Sequence, residues 1–409
     1  MHRLAIVIFL CFFSTHEVSA IDTLEVGLLV VNVEQRNAYY ELAQKFEEEN
    51  PQLKINYVVR RGNDYHLLIE KWLADDRGVD VLFWQAGERL FRYARQGWLE
   101  PLNELWKKEQ WDDSFSSGVK ETVSLQGNTY GVPFSYYQWG FYYKESLFAK
   151  LKIQPPKTWE EFLIVCQILK SKGVYPIAIG TKEFWPAAAW FDYFNLRLNG
   201  LAFHQKLMTG KASYTDARVR KVFEIWKTLI DKEYFLKSHE KLSWRNSLSY
   251  LYNDRAGMVL SGNFVSNILP QLLIQDIKFF RFPKIKSNIP WFEEAPLNIF
   301  MIPKNSKFKR GALKFLAFMG RADTQTFINE KFGYIAPNLN VKPNKNDFSK
   351  IGPEMLNNVA GISQYYDRDT PKEMSEAGVI LFAEFITSGD IDTTVEELER
   401  IRKNTFASH

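Results

Sequence analysis

The chain has 409 residues, 46% of them hydrophobic, 24% charged and 15% aromatic, and carries a formal net charge of +4. That length and apolar content suffice for two domains, each with its own core. The charge is mild and spread out, with no basic stripe, so a nucleic-acid partner is not implied.

Residues 1–20 differ from the rest. Arg3 gives a positive start, Leu4 to Phe13 is a continuous apolar core, and Val18-Ser19-Ala20 closes it. This is the pattern of a secretory signal peptide, too short for a membrane anchor. Cleavage is expected after Ala20, with Ile21 as the mature start. Cys11 raises the alternative of a lipoprotein site, but Leu10 before it is larger than the residue such a site takes. No later segment reaches 18 consecutive apolar residues, the length that marks a transmembrane helix. Cleavage leaves Cys166 as the one cysteine, which excludes an intrachain disulfide. In its helical pattern Cys166 reads as a small buried hydrophobe. All 12 Trp lie in the mature chain, more than a core usually needs, which points to surfaces that stack on a ligand.

The mature chain begins with a strand at Leu24–Val31, a helix at Arg36–Glu49 stopped by Asn50-Pro51, and a strand at Lys54–Val59. A helix at Tyr65–Asp75 leads to a third strand. This alternation predicts a parallel α/β layer. The third strand, Val79–Phe83, ends at Trp84. Glu88 and Arg89 follow, then a short helix with Leu90, Phe91, Ala94 and Trp98 on its apolar positions. A Trp, a carboxylate and a guanidinium therefore sit at the carboxyl end of a strand, where open α/β sheets bind ligands. A flat apolar ring beside charged hydrogen-bonding groups suits a sugar.

Near residue 130 the texture changes. A short hairpin around Gly127-Asn128 precedes the extended, aromatic stretch from Pro133 to Tyr143. Thr158 and Glu161 predict a capping box for a helix that ends at Gly173. A strand at Val174–Ile179 and helices at Pro186–Leu198, Asp216–Lys232 and Ser243–Asp254 follow. Further strands are expected at Met258–Leu260, Phe279–Phe282 and Leu297–Pro303. Pro283–Pro296 lacks periodicity and reads as a return crossing. A helix at Phe308–Met319 opens a mostly helical C-terminal third, which ends in a charged helix at Thr393–Lys403.

Several landmarks occur in one order. They are Phe83-Trp84, Glu88-Arg89, Tyr93-Ala94 and Gly97; Gly131-Val132-Pro133-Phe134; Pro155 to Glu161; Gly257 to Gly262; Ile302 to Ser306; and Gly333 to Pro337. In these the chain resembles the extracellular solute-binding proteins of ABC importers, in the family that includes maltose-binding protein. It is one residue longer between Trp84 and Tyr93, and the alanine of the fourth motif is displaced to Ala256. The resemblance spans essentially the whole mature chain. It implies a two-lobed periplasmic binding protein fold of type II, the Venus-flytrap, with each lobe a mainly parallel sheet flanked by helices. The expected N-terminal lobe is 21–133 plus 296–337, and the C-terminal lobe 134–289 plus 338–409. Crossings are expected near 131–136 and 284–297. It also implies a monomer in the periplasm that captures a carbohydrate in the interlobe cleft and delivers it to an inner-membrane ABC permease.

The candidate ligand contacts are set against a core alternative in each case. Trp84, Glu88 and Arg89 match a ligand-contact position of the family, against a Trp that caps its own core. Asn32 and Gln35 end the first strand on the same edge. Alternation puts Tyr137 with Trp139 on one face. Trp185 lies in an aromatic loop after a strand, and Asn263 and Phe264 follow the strand-ending Gly262. Trp291 lies in the return crossing. Trp244, Trp190, Asp192 and the segment Asp367-Arg368-Asp369 are weaker candidates.

Catalysis has little support. His66, His204, His239 and His409 are far apart and make no H-E-x-x-H pattern. There is no G-x-S-x-G and no glycine loop for phosphate. Glu293 and Glu294 are adjacent, which is not a glycosidase pair. No enzyme activity, metal or cofactor is expected. Other readings remain open: a binder of a polyamine or polyol phosphate, with Arg60-Arg61 favouring an anion, or a secreted glycosidase.

Overall fold

The computed structural model describes residues 21–60, 62–75, 78–341, 347–356 and 358–407. The expected signal segment, Arg61 and His409 lie outside them. Strand β1 (Asp22–Leu29) is followed by helix α1 (Val33–Glu49), β2 (Leu53–Arg60), α2 (Gly62–Ala74), β3 (Val81–Gln85) and α3 (Glu88–Arg95). β1 pairs in parallel with β2 and β3, as the alternation predicts. Asn32 starts α1 by accepting the Gln35 N–H at 2.9 Å. β3 does not end at Phe83. It runs through Trp84 to Gln85, every residue buried, because a later strand pairs along it.

A hairpin of β4 (Ser124–Leu125) and β5 (Asn128–Thr129) leads to β6 (Val132–Tyr136) and β7 (Trp139–Lys144). Strands β8 (Tyr175–Ala178), β9 (Ala256–Gly262), β10 (Ile277–Phe280), β11 (Phe292–Glu294), β12 (Leu297–Met301) and β13 (Gly361–Ser363) complete the set. One sheet has the order β2-β1-β3-β12-β6 and a second the order β10-β7-β9-β8; β11 and β13 form a small parallel pair. The chain leaves the first sheet for the second through Tyr137 and Gln138 alone. It returns between Phe280 and Leu297.

Both sheets are mixed rather than mainly parallel. β12 runs antiparallel to β3 and β6, and β7 runs antiparallel to β9 and β10. β7 and β12 each follow a passage between sheets, so no helical crossover of the βαβ kind sets their direction. The helix Trp159–Ser171 begins with the expected capping box of Thr158 and Glu161. Cys166 is fully buried in that helix. Aromatic rings knit each layer. Phe134 and Phe300 lie 4.7 Å apart in the first, and Phe141 and Phe280 stack at 5.1 Å in the second. Among the described residues no helix is long and apolar enough to cross a membrane.

Candidate ligand-binding site

Where the chain passes between the sheets, six aromatic rings gather from elements far apart in sequence. Phe264 is the hub. Its ring lies 5.2 Å from Trp244, 5.4 Å from Tyr137, 5.7 Å from Trp139 and 5.9 Å from Trp185. Tyr365 stacks on Trp139 at 4.8 Å and sits edge-on to Trp185. Trp185, Trp244 and Phe264 are partly exposed, whereas Trp139 and Tyr365 are buried behind them. Gly262 makes this possible: a Cβ there would lie 2.6 Å from the Phe264 ring and 2.9 Å from the Tyr137 ring. The indole N–H of Trp139 is buried without a hydrogen-bond partner among the described residues. Such a surface offers flat apolar faces to a ligand ring.

Polar groups from α3 and from the short helix Tyr366–Asp369 flank the nest. Arg368 donates to the Tyr137 hydroxyl at 2.8 Å and to the Leu297 carbonyl at 3.3 Å. Arg89 donates through Nη2 to the Asp367 carboxylate at 2.7 Å and through Nε to the Asp367 carbonyl at 2.8 Å. Gly87, with φ of +80°, lets the turn before α3 approach this segment; a Cβ there would lie 2.7 Å from the Asp369 carboxylate. His66 lies edge-on to Trp84, and burial, then the charges of Arg89, Arg368 and Arg92, push its pKa down to about 3. His66 is therefore neutral at pH 7.

The structure brings the candidates Tyr137, Trp185 and Phe264 together. The other candidates have different surroundings. Trp84 is 1% exposed; its indole N–H donates to the Arg89 carbonyl at 2.9 Å, and Tyr65, His66 and Tyr93 enclose it. That matches the core-capping alternative. Arg89 pairs with Asp367 and not with Glu88, which pairs with Arg95. Asn263 is fully buried, accepts from the Tyr142 hydroxyl at 3.1 Å and donates to the Gly333 carbonyl. Gln35 accepts from the Val31 N–H at 3.0 Å, and the Asn32 amide donates to the Asn267 carbonyl at 3.0 Å. Trp291 is covered by cations: Arg281 lies 4.2 Å, Arg197 4.8 Å and Lys284 5.2 Å from its ring. The sequence reading does not single out Tyr365, Trp139 or the Arg368–Tyr137 bond as contacts. Their one sequence signal is the aromatic and charged texture of Tyr136–Trp139 and Tyr365–Asp369.

Behind the nest, Asp192 and Glu294 are fully buried side by side. Burial raises Asp192 to about 8 and Asp369 to about 7; burial, then the charge of Asp192, raises Glu294. Unfolded carboxyls release their protons near pH 4. The folded chain thus holds extra protons between about pH 4 and 8, and stability falls as pH rises across that window. Neutral, buried His66 and His204 act oppositely, but only below about pH 6.5, where unfolded His becomes charged. The expected result is a urea unfolding free energy that falls from about pH 6.5 to 8.5, by on the order of 1 kcal/mol per pH unit for each such proton, with the midpoint falling in step. Glu294→Gln and Asp369→Asn should flatten that slope; a midpoint constant over this range contradicts the assignment.

The fold and this nest define a class, the two-lobed solute-binding proteins. The chain belongs to the bacterial extracellular solute-binding protein family, whose model matches residues 32–326. It is 24% identical over 317 residues to an uncharacterized ABC transporter extracellular-binding protein of Pyrococcus horikoshii, covering 74% of this chain and 69% of that one. Among solved structures it is similar to the bacterial solute receptor AcbH, at a TM-score of 0.88 and 27% identity over 95% of this chain and 99% of that one. That receptor is described as having an exclusive preference for β-D-galactopyranose. A chitin oligosaccharide binding protein shares the fold at a TM-score of 0.83, with 20% identity over 93% of this chain and 98% of that one. The family and these relatives are described as binding proteins.

Proposed function

We propose that the protein is the receptor of an ABC importer that captures a carbohydrate between its two lobes and hands it to a membrane permease. The observation that carries this reading is the nest centred on Phe264, with three partly exposed rings beside the Arg89–Asp367 and Arg368–Tyr137 pairs. Rings take the C–H face of a sugar and charged groups take its hydroxyl rim. The lobes divide at Tyr137–Gln138 and again between Phe280 and Leu297, so a ligand touching both sides favours the closed arrangement. Residues 1–20 direct export to the periplasm, and the protein binds its ligand without converting it.

Calorimetry against mono- and disaccharides, beginning with galactose, tests this. The expected result is one sugar bound with Kd on the order of micromolar, about −8 kcal/mol. Phe264→Ala should weaken it at least 100-fold, roughly 2.7 kcal/mol. Binding of an amino acid or a metal ion, with no sugar bound, would overturn the reading.

A further inference from the structure

The carboxyl ends of β1 and β2 and the first turn of α1 enclose a second concavity. It is an open groove of about 510 Å³ walled by Arg36, Tyr40, Tyr57, Arg60 and Asp64, with Asn32 at one end. None of the six nest rings lines it. Three features bear on what this groove could hold. Arg36 and Arg60, on different elements, both line it, and neither has a carboxylate partner among the described residues. Arg60 gives one N–H to the neighbouring Val59 carbonyl at 2.8 Å, and the rest of its guanidinium meets no acceptor among the described residues. Tyr40 is 47% exposed and stands edge-on to Tyr57 at 5.5 Å, so it is a large aromatic ring left in solvent at the groove wall. Tyr57 is 7% exposed, and its hydroxyl has no hydrogen-bond partner among the described residues.

We propose that this groove is a second ligand site, and that it takes an acidic monosaccharide of the hexuronate type. Tyr40 offers its ring to the sugar face. Arg36 and Arg60 receive the carboxylate, for which paired planar guanidiniums are the fitting donors. Asp64 accepts from a hydroxyl of the sugar. The volume lies in the range of small-molecule sites, and two cations against one carboxylate leave the lining with a net positive charge.

The test is calorimetry with galacturonate on the full chain, on Arg36→Gln/Arg60→Gln and on Phe264→Ala. Both arginines are exposed and without ion pairs, so the double variant should keep the thermal midpoint of the parent chain. Galacturonate should bind the parent chain and Phe264→Ala alike, lose at least tenfold in affinity in the double variant, and weaken with added salt. The nest variant reports on the cleft and the double variant on the groove, so either assignment can fail alone. No uptake of galacturonate, affinity unchanged by Arg36→Gln/Arg60→Gln, or affinity lost in Phe264→Ala would each overturn the proposal. Acetate binding the groove as tightly as galacturonate would overturn the role given to Tyr40.

Discussion

Trp84→Ala is expected to lower folding stability by about 3–5 kcal/mol, the range for deleting a large buried aromatic side chain. Trp84 is the penultimate residue of β3, paired with Ile299 of β12, and is enclosed by Tyr65, His66 and Tyr93. Its N–H satisfies the Arg89 carbonyl, so the truncation also strips a partner from the first turn of α3. That turn carries the guanidinium that holds Asp367 beside the nest. Ligand affinity should therefore fall as well, through displacement of α3 and not through loss of a stacking face. Urea unfolding separates the two effects: the midpoint moves strongly even without ligand, and Trp84→Phe recovers most of it. Unchanged stability with abolished binding would mean that Trp84 reaches the ligand directly.

The Trp84 case shows where the sequence stops being informative. Alternation along a strand reveals which side faces the core only when one side is wet. Every residue of β3 is buried, so its pattern cannot say whether Trp84 points at solvent, ligand or core. The frame itself was legible, because β1, α1, β2 and α2 alternate in strand and helix pattern, β3 is a short apolar run, and Thr158 with Glu161 announces a helix start. Tyr137 and Phe264 stood out in the sequence for a related reason: each lies within two residues of a strand end, where side chains leave the repeating pattern. Pairings across the chain were not. Arg89 has a carboxylate one residue away in Glu88, yet its partner is Asp367, 278 residues on. Trp291 looked free because its cover comes from Arg197, on a helix nearly a hundred residues earlier, and from Arg281 and Lys284, on the backbone that folds over it. Only the packed chain brings such charges together.

Arg197 gives the second large expectation. It is 1% exposed and forms an ion pair with the fully buried Glu293 at 2.7 Å. It also donates to the carbonyls of Phe282 and Phe292, which lie at the two ends of the return passage between the sheets. Glu293 accepts further from the Tyr193 hydroxyl at 3.0 Å and from Arg281 at 3.1 Å. One guanidinium thus fastens both ends of a proline-containing passage to the helix Ala188–Asn199. Arg197→Ala leaves a buried carboxylate without its main cation and should cost about 3–5 kcal/mol. The loss should exceed the worth of the pair itself, because a buried ion pair gains little over a well-packed apolar one. Arg197→Met combined with Glu293→Gln should therefore recover a large part of the stability lost by Arg197→Met alone, as measured by a double-mutant cycle in urea. If the two substitutions simply add, Glu293 is held by Tyr193 and Arg281 and not by Arg197. The recovered variant should still bind its ligand more weakly than the parent chain, because the carbonyls of Phe282 and Phe292 remain unfastened and the passage between the sheets is no longer held to the helix Ala188–Asn199.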